Sequence, residues 1–133
     1  MSDPYHNSAF CVSVPITTNA SGAFSKTMAA VTGRFVQYTY EPPSTDALDA
    51  NWDLDVVTAN GTVLINEDNL AATAVSKAIG QILYDETGTA VTYDGTNEIY
   101  VPGRWVCNET LAVTVAQGGN VQSGTLHLYF TPA

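Results

Sequence analysis

The chain has 133 residues, 45% of them apolar, enough for one domain with a core and too hydrophobic for wholesale disorder. Only 13% of its residues are charged, and thirteen acids against four bases (Lys26, Arg34, Lys77 and Arg104) leave a net charge of −9. Nucleic acids and anionic membranes are bound through many Lys and Arg side chains, so this balance excludes both as partners.

Ser, Thr, Asn and Gln take the surface role that ions usually fill. Hydroxyls and amides cost less to desolvate than charges, so such a surface favours contact with other proteins. No run of about 18 apolar residues is present to span a bilayer as a helix. The start, "MSDPYHNSAF", lacks the basic and apolar regions of a secretion signal, which predicts assembly in a cytosol. Cys11 and Cys107 belong to no CxxC pair and are expected to be free, strand-borne thiols.

In chain order, residues 1–8 read as an extended N-terminal arm, polar, proline-bearing and without periodicity. Residues 9–133 read as a single β-sandwich domain. "AFCVSVP" alternates, with Phe10, Val12 and Val14 on one face and Pro15 expected to close the strand. A second strand is expected over residues 23–31, then a break at Thr32-Gly33. "RFVQYTYEP" follows, with Val36, Tyr38 and Tyr40 on its apolar face and Phe35 on the other.

"EPPSTDALDAN", residues 41–51, is a loop by its prolines and small acidic residues. In "WDLDVVTANGTVLI" two alternating runs flank Asn60-Gly61, a pair suited to the positive φ angles of a tight hairpin. "EDNLAATAVSKAIG", residues 67–80, places Leu70, Ala74, Lys77 and Ala78 at helical spacings. Glu67 and Asp68 suit its first turn and Gly80 its end, predicting one short helix or a loop with a single turn.

Two or three short strands are expected over residues 81–107. "TLAVTVA" and "GTLHLYF" then flank "QGGNVQS" as a closing hairpin. Leu126, Leu128 and Phe130 face one way on its last strand, and Thr125, His127 and Tyr129 the other. That last strand is expected to pair within the sandwich, because a long apolar edge left open would aggregate. No repeat period is evident. Seven to nine short strands set off by Gly, Pro and Asn turns predict an all-β, antiparallel β-sandwich or jelly-roll-like domain.

No constellation for catalysis stands out, and the chain is expected not to be an enzyme and to need no cofactor or metal. Its two histidines, His6 and His127, are too few for a zinc site at short spacing, and no GxSxG elbow occurs. Asp53 and Asp55 share a strand face and read as a solvated pair rather than as glycosidase acids. Asp53 and Asp55, with Asp94, Asn97 and Glu98, offer hard oxygens for calcium but no EF-hand spacing. Trp52 alternates with aspartates and belongs in the core. Trp105, after the Pro102-Gly103-Arg104 turn, is the better candidate for exposure.

"WDLDVVTANGTVLI" and "LAVTVAQGGNVQSGTLHLYF" together resemble small virion proteins of tailed bacteriophages, over roughly residues 33–66 and 110–130. The resemblance implies a capsid decoration (cement) protein, held as a homotrimer against the major capsid protein on the outer capsid surface and assembled in the host cytoplasm. It brings no catalytic residues. Exposure arguments name Asp3, Pro4 and Tyr5 of the arm, Pro42 and Pro43, and Arg104 and Trp105 as interface candidates. The alternative is a carbohydrate-binding module on a phage tail or capsid exterior, with Trp105 and nearby tyrosines as its platform.

Overall fold

A computed structural model describes residues 9–132. These residues form nine strands: β1 (Phe10–Thr17), β2 (Phe24–Glu41), β3 (Trp52–Thr58), β4 (Val63–Leu70), β5 (Val75–Ala78), β6 (Gly80–Ile82), β7 (Tyr100–Pro102), β8 (Arg104–Ala116) and β9 (Ser123–Thr131). The main sheet is antiparallel in the order β1-β9-β2-β8-β3-β4, with β5 added to β2, while β6 and β7 form a separate ribbon.

β2 turns this sheet into a sandwich. Its residues 24–35 pair with β8, residues 34–41 with β9, and residues 37–40 with β5. One layer therefore holds β1, β9, the second half of β2 and β5; the other holds the first half of β2 with β8, β3 and β4. Tyr40 and Trp52 meet across the layers with ring centroids 4.9 Å apart. Around them pack Val14, Ile16, Phe35, Tyr38, Leu54, Val56, Val113, Leu126, Leu128 and Phe130, each at most 1% exposed. Buried branched and aromatic side chains of this kind contribute roughly 1.5–3 kcal/mol each.

The all-β sandwich is the expected fold, and β9 pairs inside it, between β1 and β2. Several local expectations are corrected. β1 runs through Pro15 to Thr17, because it pairs on one side only and an edge strand tolerates the missing N–H. The break at Thr32-Gly33 is a pair of register shifts inside one 18-residue strand. A further bulge between Phe35 and Gln37 swaps faces, so Phe35 joins Tyr38 and Tyr40 in the core while Val36 turns outward.

At the β3–β4 hairpin only Gly61 has positive φ (93°). Gly61 N–H donates to Thr58 O and Thr58 N–H to Thr62 O, which makes a three-residue loop rather than a two-residue turn.

The helix over 67–80 does not form, and no helix occurs among the described residues. β4 continues to Leu70, which is buried against the core, and Asn69 takes φ 60°, a conformation that right-handed helix excludes. Val75–Ala78 then gains partners on β2 that a thin apolar stripe could not match. Nor do β8 and β9 form a hairpin: β8 pairs with β2 and β3, and residues 117–122 cross from one layer to the other. The arm, residues 1–8, lies outside the described residues.

Candidate interaction surface

Between β5 and β8 the chain leaves the sandwich and returns, and Gly103 N–H donates to Ile79 O where the two ends meet. The excursion forms a knob around a closed ring of three backbone hydrogen bonds. Leu83 N–H donates to Ile99 O (2.8 Å), Ile99 N–H to Val91 O (3.0 Å), and Val91 N–H to Leu83 O (2.8 Å). The three residues, all aliphatic, are spaced evenly along the chain. Isolated bridges Tyr84–Ala90 and Thr92–Glu98 flank the ring.

Two aspartates build the knob's turns. Asp85 Oδ1 accepts from the Thr87 hydroxyl (2.6 Å) and from the Thr87 and Thr89 amides (2.9 and 3.0 Å). Asp94 Oδ1 accepts from the Asn97 and Thr96 amides (2.6 and 2.9 Å), and its Oδ2 from the Asn97 side chain (2.6 Å). These donors hold both carboxyls below the usual aspartate range, through the Thr87 hydroxyl first for Asp85 and the Asn97 amide first for Asp94. Asp94 and Asn97 are thus occupied by their own turn. Among the described residues no group of three or more His, Cys, Asp or Glu is placed to hold a metal ion.

With its backbone bonded internally, the knob presents aromatics to solvent: Tyr84, Tyr93 and Tyr100 are 53%, 71% and 62% exposed. Trp105, two residues beyond the knob's base, is 55% exposed with the Arg34 guanidinium 5.0 Å over its ring. Arg104 is half-buried and donates from Nη1 to Val63 O at the start of β4. Trp52, as expected, is buried, its Nε1–H donating to Ala71 O at 2.8 Å. Asp53 and Asp55 do share a face, and Asp53 accepts from the Asn69 amide.

The structure does not bring all the candidates together. Pro42 and Pro43 wall a groove of about 330 Å³ with Pro15, Ser123 and Gly124. That groove sits where Glu41 faces Thr125, whereas Arg104 and Trp105 lie where Arg34 faces Thr131. Roughly 3.3 Å per residue of strand puts the two regions about 20 Å apart. Asp3, Pro4 and Tyr5 fall outside the described residues.

Sequence reasoning missed the three tyrosines as a set, because their exposure depends on the ring at Leu83, Val91 and Ile99. It also missed a polar ladder on the outer face of the β1-β9-β2 layer. His127 Nε2 lies 2.8 Å from Glu41 Oε2, and His127 Nδ1 lies 2.9 Å from Ser13 Oγ and 3.8 Å from Cys11 Sγ. The only available signal was the outward alternation of each strand, which does not reveal register. Cys107 is exposed on β8, in the other layer.

No family model and no curated protein matches this chain. Among solved structures, one from work on Bacillus endospore appendages, described as a novel family of disulfide-linked pili, is similar over 100% of this chain and 96% of that one. The identity is 10% and the TM-score 0.38. A chain of infectious bursal disease virus, Gx strain, is similar over 93% of this chain and 37% of that one, at 15% identity and a TM-score of 0.21.

Proposed function

We propose that this is a non-enzymatic bacteriophage virion protein that decorates the outer capsid surface and stabilises the shell by burying surface against the major capsid protein. The observation that carries the reading is the knob, an internally hydrogen-bonded projection that exposes Tyr84, Tyr93 and Tyr100, with Trp105 and Arg34 beside it. Tyr, Trp and Arg supply most of the binding energy in protein interfaces, because they bury large areas at small entropic cost. A charge-poor body and a net charge of −9 suit the outside of a particle whose packaged DNA would attract a basic protein. Self-association as a homotrimer follows from the resemblance of residues 33–66 and 110–130 to virion proteins.

The test is rebinding. Purified protein added to capsids stripped of it should occupy them and raise their melting temperature. No rebinding and no shift would end this reading.

The same exposed aromatics favour a second reading, a carbohydrate-binding module in which Tyr93, Tyr100 and Trp105 stack on sugar rings. A glycan array separates the two: saturable binding lost in Trp105→Ala supports the module, and an empty array supports decoration.

A further inference from the structure

The polar ladder on the β1-β9-β2 face has the parts of an activated nucleophile. Register places Ser13 opposite His127 and Cys11 opposite Tyr129, so Cys11, Ser13, His127 and Tyr129 project from the same side of two neighbouring strands. Glu41, on the next strand, accepts from His127 Nε2–H at 2.8 Å. A carboxylate there fixes the tautomer, leaving Nδ1 as the unprotonated nitrogen. That lone pair faces both the Ser13 hydroxyl (2.9 Å) and the Cys11 thiol (3.8 Å), and the thiol is also 3.7 Å from Ser13 Oγ. Nucleophile, base and orienting carboxylate are thus within reach of one another.

A second, independent feature adjoins the thiol. Cys11 lines an apolar depression of about 250 Å³ whose other walls include Ala9, Phe10, Val36 and Tyr129. The Phe10 ring itself turns to the inner face, stacked on buried Phe130 with centroids 4.9 Å apart. Val36 reaches this wall because the bulge after Phe35 turns it outward.

The geometry points to Cys11 as an acylation site that takes an acyl chain from a thioester donor. Cys11 Sγ attacks the carbonyl carbon of the donor, and a new C–S bond forms as the donor's C–S bond breaks. His127 Nδ1 receives the thiol proton, directly or through Ser13, and returns it to the departing thiolate. The acyl chain then lies in the depression against Val36 and Tyr129. Glu41 is a positioning residue. Cys107, on β8, has no histidine or carboxylate hydrogen-bonded to its sulfur among the described residues and is the internal control.

The test uses the full chain with octanoyl-coenzyme A and acetyl-coenzyme A as donors, read by intact-protein and peptide mass spectrometry. One octanoyl group should add at Cys11 in the native protein and in Cys107→Ser, and none in Cys11→Ser. Neutral hydroxylamine should remove it, as it removes a thioester and spares an ester on Ser13. His127→Gln should slow labelling by about tenfold or more, the low side of what a general base contributes. Octanoyl should transfer faster than acetyl if the depression receives the chain. Equal labelling of Cys107, an unchanged rate in His127→Gln, or no preference for the longer chain would each overturn the assignment. Because the site lies on the sandwich face, its failure leaves the capsid-binding reading standing, and failed capsid binding leaves this site standing.

Discussion

Replacing Tyr40 by Phe removes one oxygen atom from the centre of the fold and no carbon. That oxygen makes two bonds: Leu48 N–H donates to it at 2.9 Å, and its own O–H donates to Ser123 O at 3.0 Å. Burial pushes the phenol above its ordinary value, so it stays protonated through neutral pH and can both give and accept. In the Phe variant the Leu48 amide has no replacement partner, because Leu48 is fully buried. Stranding such a donor costs about 1–3 kcal/mol, and losing the bond to Ser123 about 1 kcal/mol more, for a total of roughly 2–4 kcal/mol.

At about 2.1 cal/mol/K of unfolding entropy per residue, a chain of 133 residues loses roughly 3–4 °C of Tm per kcal/mol. Tyr40→Phe should therefore melt about 7–14 °C below the native protein by calorimetry or circular dichroism. The Leu48 amide, followed by hydrogen exchange, should lose protection ahead of the strands. Packing is not disturbed, since the ring keeps its place against Trp52 and over Gly124, where a Cβ would sit only 2.1 Å from Tyr40 Cε1. A loss below about 1 kcal/mol with Leu48 still protected would refute the claim that this hydroxyl pins the 42–51 loop.

Other outcomes follow from the same structure. Leu128→Ala should cost about 2–5 kcal/mol in chemical denaturation, because Leu128 is fully buried where β9 meets β1 and β2. Tyr93→Ala, at a 71% exposed side chain, should change stability by no more than about 0.5 kcal/mol while weakening capsid rebinding by about tenfold or more. Deleting residues 1–8 should weaken capsid binding and leave the melting temperature of the isolated protein within a few degrees; unchanged binding removes the arm from the interface. Asp85 and Asp94 have folded-state values held low, so what they contribute to the knob is present above the ordinary aspartate range and is lost as pH falls through those lowered values. Hydrogen exchange in acid should therefore loosen the Thr87, Thr89, Thr96 and Asn97 amides before those of β8 and β9, and Asp94→Ala should loosen its own turn at neutral pH.

How far the sequence reveals this molecule depends on which rule each segment obeys. β3 and β9 are legible because plain alternation survives in them: Trp52, Leu54 and Val56 are buried, as are Leu126, Leu128 and Phe130. The false helix arose where Ala, Thr and Lys satisfy helical spacing weakly. The outcome there was decided by Val75–Ala78 finding an open edge on β2, a partner distant in sequence. The surface is harder still. Trp105 could be named from the turn before it, but Tyr84, Tyr93 and Tyr100 are exposed through a ring of backbone hydrogen bonds. The cluster of Cys11, Ser13, His127 and Glu41 needs the register of three strands at once, and alternation reports faces without register.

The bulges in β2 link the core to that surface. The inward-packing positions are even-numbered at Phe24 and Met28, odd at Val31 and Phe35, and even again at Tyr38 and Tyr40. Each change of parity coincides with a register shift, between Met28 and Val31 and between Phe35 and Gln37. A strand of perfect alternation could present one apolar face to one layer only. By changing parity twice, a single strand of 18 residues feeds both layers and keeps its aromatic residues in the core at each stage. The second change has an external consequence as well: Val36 is turned out beside Cys11 and Tyr129, and Thr39 and Glu41 are left facing outward from the strand next to His127. The irregularity that closes the sandwich is therefore the same one that composes its outer face.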